Sequence, residues 1–468
     1  MRVTTYRKAI AALLLCLAMP SIMASPGTAT SDRQIRAEAQ ALLDRSARAD
    51  GPGYELLIAR DDQIVFHQAR GSAQIELGVP LHPGQIYRIA SITKMFTAVE
   101  VLHLAEAGKL SLDDTLETYV PNFPNGTAIH IRQLLNHTAG VSDHARNPTP
   151  GFFARNLSTT DLVAAVADRD PAFAPGAQMS YSNGGYILLG AIIEKVTGKP
   201  WHVAIRDDQL APQQLTHTAY GDTSPIVPDR VAGYSTDNPD HNVENASFIS
   251  ASIPAAAGAL DSNADDLFHW MRALQTGKLI SSRSLSWMST PTRLANASDP
   301  AHPYGMGMYL WKVRGQDMIG HTGQINGFAS ALAYLPKEHI TIVVLANDDE
   351  ADARTMARRL AAIALGQAYE TPVEVPLSTD AMRALEGNYR MDATKVRTLT
   401  VTDGRLFAQV TGRHAVPLQA TANGRLYFKP DELSYFLPVR NASGQVTRLD
   451  YFEGGDGPAK ALPRVASP

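Results

Sequence analysis

Ser91 and Lys94 stand three residues apart in Ser91-Ile92-Thr93-Lys94, and Ser91 is the one serine in the chain with lysine at that distance. A serine hydroxyl is a poor nucleophile near neutral pH and needs a base within hydrogen-bond reach. On a helix, this spacing puts both side chains on one face. Ile92, Phe96, Val99 and Leu102 continue at helical spacing, which predicts a helix with Ser91 in its first turn, where the helix dipole favours developing negative charge. Tyr181-Ser182-Asn183 adds a phenol and a carboxamide two residues apart, a spacing that points both the same way on extended chain. His321-Thr322-Gly323, followed by Gln324, supplies an imidazole. Each piece has an ordinary alternative: a helix-capping serine beside a solvated lysine, a turn closed by Ser182 to Gly185, and a strand-edge histidine.

The elements that must hold these residues are legible in outline. Ile35, Ala39, Leu42 and Leu43 lie on one helical face. Tyr54 to Ala59 and Ile64 to His67 flank the turn Asp61-Asp62 and read as a hairpin, as do Phe328 to Leu335 and Ile340 to Ala346 around Pro336-Lys337-Glu338. Glu350 to Leu365 reads as helix, and the middle of the chain is mostly helical. Strands near both ends with helices between predict an α+β fold: an antiparallel sheet flanked by helices, with an inserted helical lobe and a crevice between sheet and lobe. From about Asp380 the pattern becomes short strands and turns: Thr398 to Thr402, Leu406 to Val410, Leu426 to Phe428, Tyr435 to Val439 and Val446 to Phe452. That is a separate all-β meander or small barrel. Pro372 and Pro376 mark a linker over 368–379, so the expected units are a catalytic domain over 33–367 and a β-rich domain over 380–468.

The 468 residues are 44% hydrophobic and 19% charged, the composition of a globular protein rather than a disordered or fibrous one. A formal charge of -4 with no basic run gives no reason to expect nucleic acid or anionic membrane as partner. Arg2, Arg7 and Lys8 precede the apolar stretch Ala9 to Met19, and the small residue Ala24 follows, which predicts a signal peptide over 1–24 and an exported, periplasmic or secreted protein. The apolar stretch is about half of the roughly 20 residues a membrane span needs. Cys16, the only cysteine, would leave with that peptide, so thiol chemistry and disulfides are excluded from the mature chain.

Taken together and in this order, the three motifs resemble those of the serine β-lactamase and penicillin-binding-protein superfamily, whose Ser-x-x-Lys, Tyr-x-Asn and Lys-or-His-Thr-Gly signatures they match. Class C β-lactamases, DD-peptidases, D-aminopeptidases and related esterases are the nearest branches. Similar connecting segments include Ile86 to Ala90, Leu134 to Gly140, Tyr186 to Gly198, Pro254 to Leu267, Tyr304 to Met308 and Gly327-Phe328, so the likeness runs from about Ile35 to Leu365. The terminal β segment resembles the lipocalin-like module appended to such hydrolases. The resemblance implies Ser91 as nucleophile of an acyl-enzyme, Lys94 and Tyr181 sharing the proton work, and Asn183, His321, Thr322 and Gly323 binding substrate, with His321 facing the cleft. It also implies an oxyanion hole from the backbone N–H groups of Ser91 and Gln324, and no cofactor or metal. Which of Lys94 and Tyr181 is the resting base stays open.

One departure bears on substrate. Many members carry lysine where this chain has His321, and a neutral imidazole anchors a carboxylate poorly. The expectation is therefore an exported hydrolase of amide or ester bonds, acting on a small molecule or peptide such as a D-amino-acid-containing cell-wall fragment. The alternatives are a class C-like β-lactamase or D-Ala-D-Ala carboxypeptidase and, from another class, a catalytically silent cell-wall-binding or sensor protein. The absence of G-x-S-x-G and of H-E-x-x-H argues against α/β-hydrolase and zinc-hydrolase readings, and His137 and His144 are too loosely spaced to argue for a metal.

Overall fold

The computed structural model describes residues 31–143, 151–236, 242–292, 294, 304–428 and 433–466. Residues 1–24, read as a signal peptide, and His144 lie outside these. No described helix is long and apolar enough to cross a membrane.

Helix α1 (Asp32–Ser46) starts where the Ser31 side chain accepts the Gln34 N–H, and it buries Ile35, Ala39, Leu42 and Leu43. Strands β1 (Tyr54–Arg60) and β2 (Gln63–Arg70) follow as a hairpin. The helical lobe comes next, and it includes α2 (Thr93–Glu106), α3 (Asn183–Thr197) and α4 (Ala264–Gln275). The chain then returns to the sheet with β3 (Tyr309–Val313), β4 (Gln316–Ile325), β5 (Phe328–Leu335) and β6 (Ile340–Ala346), and closes the domain with α5 (Ala353–Ala364). The six strands lie in the order β3-β4-β5-β6-β1-β2, antiparallel throughout.

Strand pairing places both chain ends of the domain at the middle of the sheet, since Tyr54 to Arg60 pairs with Ala346 to Ile340. Every residue of β5 and β6 is buried, which explains their unbroken apolar sequence: the two faces of the sheet serve two cores. Leu56, Ile58, Ile342 and Val344 pack with Ile35, Leu43 and Leu360 of the terminal helices. Their neighbours Leu57, Ala59, Val343 and Leu345 face the other way, into the core that holds Met95, Phe96 and Val99 of α2. The sheet thus carries the Ser91 helix on one face and the two terminal helices on the other.

The C-terminal segment is a closed eight-stranded antiparallel barrel, β7 (Gly387–Arg390), β8 (Val396–Thr402), β9 (Arg405–Val410), β10 (Ala415–Ala420), β11 (Leu426–Phe428), β12 (Tyr435–Arg440), β13 (Val446–Phe452) and β14 (Lys460–Val465). Leu399, Leu406, Phe436, Leu449 and Leu462 fill it. A barrel of this strand number has an interior that side chains just fill.

The carboxylate of Asp456 is a centre of contact between the barrel segment and the sheet domain. Asp456 Oδ2 accepts from Arg358 Nη2 at 2.7 Å and from the Arg314 N–H at 3.1 Å, and the Tyr369 hydroxyl also donates to it. Arg358 belongs to α5 and donates in addition to Lys312 O and Gly454 O, at 2.8 Å each. Arg314 turns the β3–β4 hairpin, and its guanidinium lies 3.8 Å from the Tyr369 ring. Removing one member of a buried ion pair strands the other charge. Asp456→Ala is therefore expected to destabilise the chain by about 3 kcal/mol, the low end for a broken buried pair because Arg358 keeps two carbonyl partners. The check is a lowered melting temperature with faster proteolytic cleavage within 368–379; an unchanged melting curve would contradict it.

Candidate active site

Ser91 sits in a 3-10 turn, Ala90–Ile92, that runs straight into α2. The turn is set by two features. Tyr87–Arg88 pairs with the short strand Leu260–Ser262, fixing where the chain enters, and Ala90 adopts φ 47°, a left-handed conformation unusual for alanine. Strain of this kind concentrates beside reacting groups. Lys94 lies one turn on and is fully buried, and its Nζ donates to Ser91 Oγ at 3.0 Å, Asn183 Oδ1 at 2.8 Å and Ala257 O at 2.7 Å. The Ala257 carbonyl is held there because Thr97 Oγ1 donates to Ala256 O at 2.7 Å and the Leu260 N–H donates to Thr93 Oγ1 at 3.1 Å.

Burial makes the lysine cation costly, and its pKa falls to about 7, with the carboxylate of Asp143 working in the opposite direction. Tyr181 keeps 37% of its surface exposed, while its hydroxyl end is desolvated by protein. That desolvation raises its pKa well above the usual phenol value, outweighing a hydrogen bond with Ser91. The Lys94 ammonium lies 4.7 Å from the Tyr181 ring centroid, a separation at which cation and ring attract.

Tyr181 and Asn183 do not share an extended strand as their spacing predicts. Ser182 is the N-cap of α3, its hydroxyl accepting the Gly185 N–H at 3.1 Å, and Asn183 is the first helical residue. A serine at the N-cap favours this helix start, and Gly184 is needed there: a Cβ would lie 2.5 Å from Ser142 O. The bend aims Asn183 Oδ1 at Lys94, while Asn183 Nδ2 donates to Asp143 Oδ2 at 2.8 Å.

His321, expected to face the cleft, is 1% exposed. Its Nδ1 lies 2.5 Å from Thr322 O and its Nε2 3.1 Å from the Tyr304 hydroxyl. A carbonyl only accepts, so Nδ1 carries the hydrogen and Nε2 accepts from Tyr304. Burial, reinforced by Lys94, depresses the His321 pKa to about 3, so the ring is neutral at any working pH. His137 is likewise buried and held neutral, chiefly by desolvation. Its Nδ1 accepts the Ser182 N–H at 3.2 Å, and its ring lies 4.4 Å from Tyr181 and 4.7 Å from Tyr304. Tyr309 of β3 stacks nearly parallel to Tyr181, 6.3 Å away and tilted by 9°.

Gly323 places β4 against the Ser91 turn. Ser330 Oγ donates to Ile89 O at 2.8 Å, and a Cβ on Gly323 would lie 2.3 Å from Ile89 O and 2.5 Å from Ser330 Oγ. Gln324 is anchored through Nε2 to Asp349 O at 2.6 Å. The structure therefore brings Ser91, Lys94, Tyr181, Asn183, His321 and Gly323 into one cluster. Sequence reasoning missed Asp143, Tyr304, Tyr309 and the Ala257 carbonyl, and it considered His137 only as a metal ligand. Among the described residues there is no group of three His, Cys, Asp or Glu placed to hold a metal.

A serine turn clasped between an antiparallel sheet and a helical lobe, with a buried lysine at hydrogen-bond distance, defines a serine hydrolase of the β-lactamase type. The chain belongs to the Beta-lactamase family, which it matches over residues 37–365. It is similar to a D-stereospecific amidohydrolase from Streptomyces sp., 30% identical with a TM-score of 0.63 over 71% of this chain and 99% of that one. It resembles in fold the octameric penicillin-binding protein homologue from Pyrococcus abyssi, 22% identical with a TM-score of 0.65, covering 92% of this chain, barrel included, and 99% of that one. Penicillin-binding protein 4* of Bacillus subtilis is 25% identical over 80% of this chain and 87% of its own length. Protein flp of Staphylococcus aureus (strain MW2) is 30% identical over 63% of this chain, a match that spans 59% of that protein.

The contact at Gly323 yields a test. Gly323→Ala is expected to force β4 away from the Ile89–Ala90 turn, costing about 1–3 kcal/mol of stability. It should also lower kcat by about 10²-fold, the scale of a 1 Å misplacement. Thermal unfolding and steady-state kinetics read the two effects, and wild-type kcat in the variant would show that the close approach does not position Ser91.

Proposed function

We propose that this hydrolase cleaves amide or ester bonds of substrates with no free carboxylate beside the scissile bond, D-aminoacyl compounds among them, through an acyl-enzyme on Ser91. The observation that carries the reading is the Lys94 amine, buried, 3.0 Å from Ser91 Oγ and with its pKa drawn down to about 7. Neutral Lys94 takes the Ser91 proton as Oγ attacks the substrate carbonyl carbon. The tetrahedral oxyanion is held by the backbone N–H groups of Ser91 and Gln324. The proton then moves, with Tyr181 as the intermediary nearest Ser91, to the leaving nitrogen or oxygen as its bond to carbon breaks. Water repeats the attack on the acyl group, its proton taken by the same base, and Ser91 is released. Tyr181, its hydroxyl held protonated, serves as donor rather than resting base.

The neutral His321 supports the choice of substrate, because a ring with a pKa of about 3 offers no cation to a carboxylate. The Streptomyces relative supports the D-aminoacyl class. Export by an N-terminal signal and a cell-wall-derived substrate belong to the same proposal, as do a linker over 368–379 and the part of Asn183 and Thr322 in binding.

Fluorophosphonate treatment followed by peptide mass mapping is expected to place the adduct on Ser91, and Ser91→Ala is expected to abolish turnover; labelling of another serine would overturn the mechanism. Lys94→Ala and Tyr181→Phe should each lower kcat by about 10²-fold or more, with a double mutant less impaired than the product of the two losses.

The pH dependence follows in sign. The base is the uncharged lysine, so kcat/KM should rise with pH through about 7 and fall as acid protonates Lys94. A profile flat from pH 6 to 8 would remove Lys94 from the role. On a panel of p-nitrophenyl esters, D- and L-aminoacyl amides, D-Ala-D-Ala peptides and a cephalosporin, esters and D-aminoacyl amides should lead. A lead for cephalosporin or D-Ala-D-Ala peptide would favour the β-lactamase or carboxypeptidase reading.

A further inference from the structure

From the hydrogen bonds around Lys94 we infer that Asp143 is a positioning residue of this site: it fixes the amide of Asn183 so that the lysine lone pair has only Ser91 to accept from. The inference rests on the proposed role of Lys94 as base. A charged lysine has three N–H donors and meets three acceptors here, Ser91 Oγ, Asn183 Oδ1 and Ala257 O. A neutral amine has two donors and one lone pair. Ala257 O accepts only, and Asn183 Oδ1 accepts only, so the two remaining hydrogens go to them and the lone pair is left facing the one partner able to donate, the Ser91 hydroxyl. That is the arrangement a general base needs.

The logic holds only while Asn183 presents its oxygen. An amide turned over would offer Nδ2 to Lys94, and the lone pair would then accept from Asn183 instead of from Ser91. Asp143 prevents the turnover: its Oδ2 receives Asn183 Nδ2 at 2.8 Å, and a carboxylate has no hydrogen to give to the amide oxygen. Asn183 is thereby occupied on both sides, by Lys94 and by Asp143.

Asp143 also acts on Lys94 through its charge. The titratable groups that face the lysine are Tyr181 and Tyr186 of the α3 start, with ring centroids 4.7 and 5.5 Å from Nζ, His137, and His321 of β4. Burial keeps both tyrosines protonated and both histidines neutral. The Asp143 carboxylate is the charge that opposes desolvation and raises the lysine pKa. It thus favours the protonated lysine while orienting the amine once the proton has left.

The test follows the pH profile of fluorophosphonate labelling, read as a second-order rate on the full chain. In Asp143→Asn and Asp143→Ser, the plateau rate should fall about 10-fold or more, the lower range of general-base effects. The acid limb should move to lower pH by about half a unit or more, as expected for loss of a nearby opposite charge. Asp143→Glu, which retains the carboxylate, should return the limb to its wild-type position. Wild-type plateau and limb in both charge-removing variants overturn the inference alone, as does a rate loss with an unmoved limb that Asp143→Glu shares, which marks a structural role. Absence of a Ser91 adduct in the wild-type chain overturns the proposed mechanism and this inference together.

Discussion

Everything in the site depends on burying one amine. An ammonium group taken out of water is costly unless its hydrogens find partners, and α2 buries Lys94 completely between the sheet and the lobe. The fold meets that requirement from three directions: the Ser91 turn, the start of α3, and the carbonyl of Ala257, brought in by the tie between Thr97 and Ala256. Close packing leaves little room for alternatives. Gly307 has φ 83°, and a Cβ there would lie 2.6 Å from Ala98 Cβ and 3.2 Å from Lys94 O, so the helix carrying the lysine is pressed against the approach to β3. Desolvation that would merely be a cost elsewhere is what brings the amine near neutrality at working pH.

The surroundings keep that environment free of competing charge. His321 and His137 are the two imidazoles closest to the cluster, and both are held neutral by burial and by the lysine itself. Their hydrogen bonds are directional: His321 receives Tyr304 while giving Nδ1–H to Thr322, and His137 receives the Ser182 N–H. His321 therefore works as a packed structural ring joined to a tyrosine, which is a different use of this position from a lysine in contact with substrate. An aromatic wall stands beside the cluster, with Tyr181 and Tyr309 stacked, and Tyr309 is in turn stacked on the buried Trp311 at 5.3 Å.

The motif residues and most sheet strands could be read from the sequence because they are local signals: Ser-x-x-Lys at helical spacing, apolar runs around turns, and a change to short strands after 380. What could not be read arises from contacts between distant segments. Asp143 meets Asn183 across 40 residues and Ala257 meets Lys94 across 163, and no local pattern marks either. The Tyr181–Asn183 segment misled because a spacing of two was assigned to extended chain, whereas Ser182 caps a helix. Strand β4 escaped notice because Gly320 and Gly323 interrupt its apolar pattern, although Gly323 is where a backbone must approach closely. In the barrel, Pro417 and Pro463 lie inside β10 and β14, where proline weakens a strand reading, while Tyr435 to Val439 reads as strand despite Pro438 because aromatic and apolar residues surround it.

The β3–β4 hairpin ties these observations together, since it is fixed at both ends by groups of different kinds. At its turn, the Arg314 N–H is bound to Asp456 of the barrel segment, and the Arg314 side chain holds Gln367 O at 2.7 Å and Ala368 O at 3.1 Å. At its other end, Gly323 lies against the Ile89–Ala90 turn with nothing between. An edge strand supported along one side only is ordinarily among the more deformable parts of a sheet. Here the free edge carries Tyr309 of the aromatic wall, and its partner strand carries His321 and the proposed oxyanion donor Gln324. A fixed turn and a fixed tip limit how far that hairpin can shift relative to Ser91. The barrel segment is thus tied, through an ion pair remote from Ser91, to the turn of the hairpin that carries His321 and Gly323.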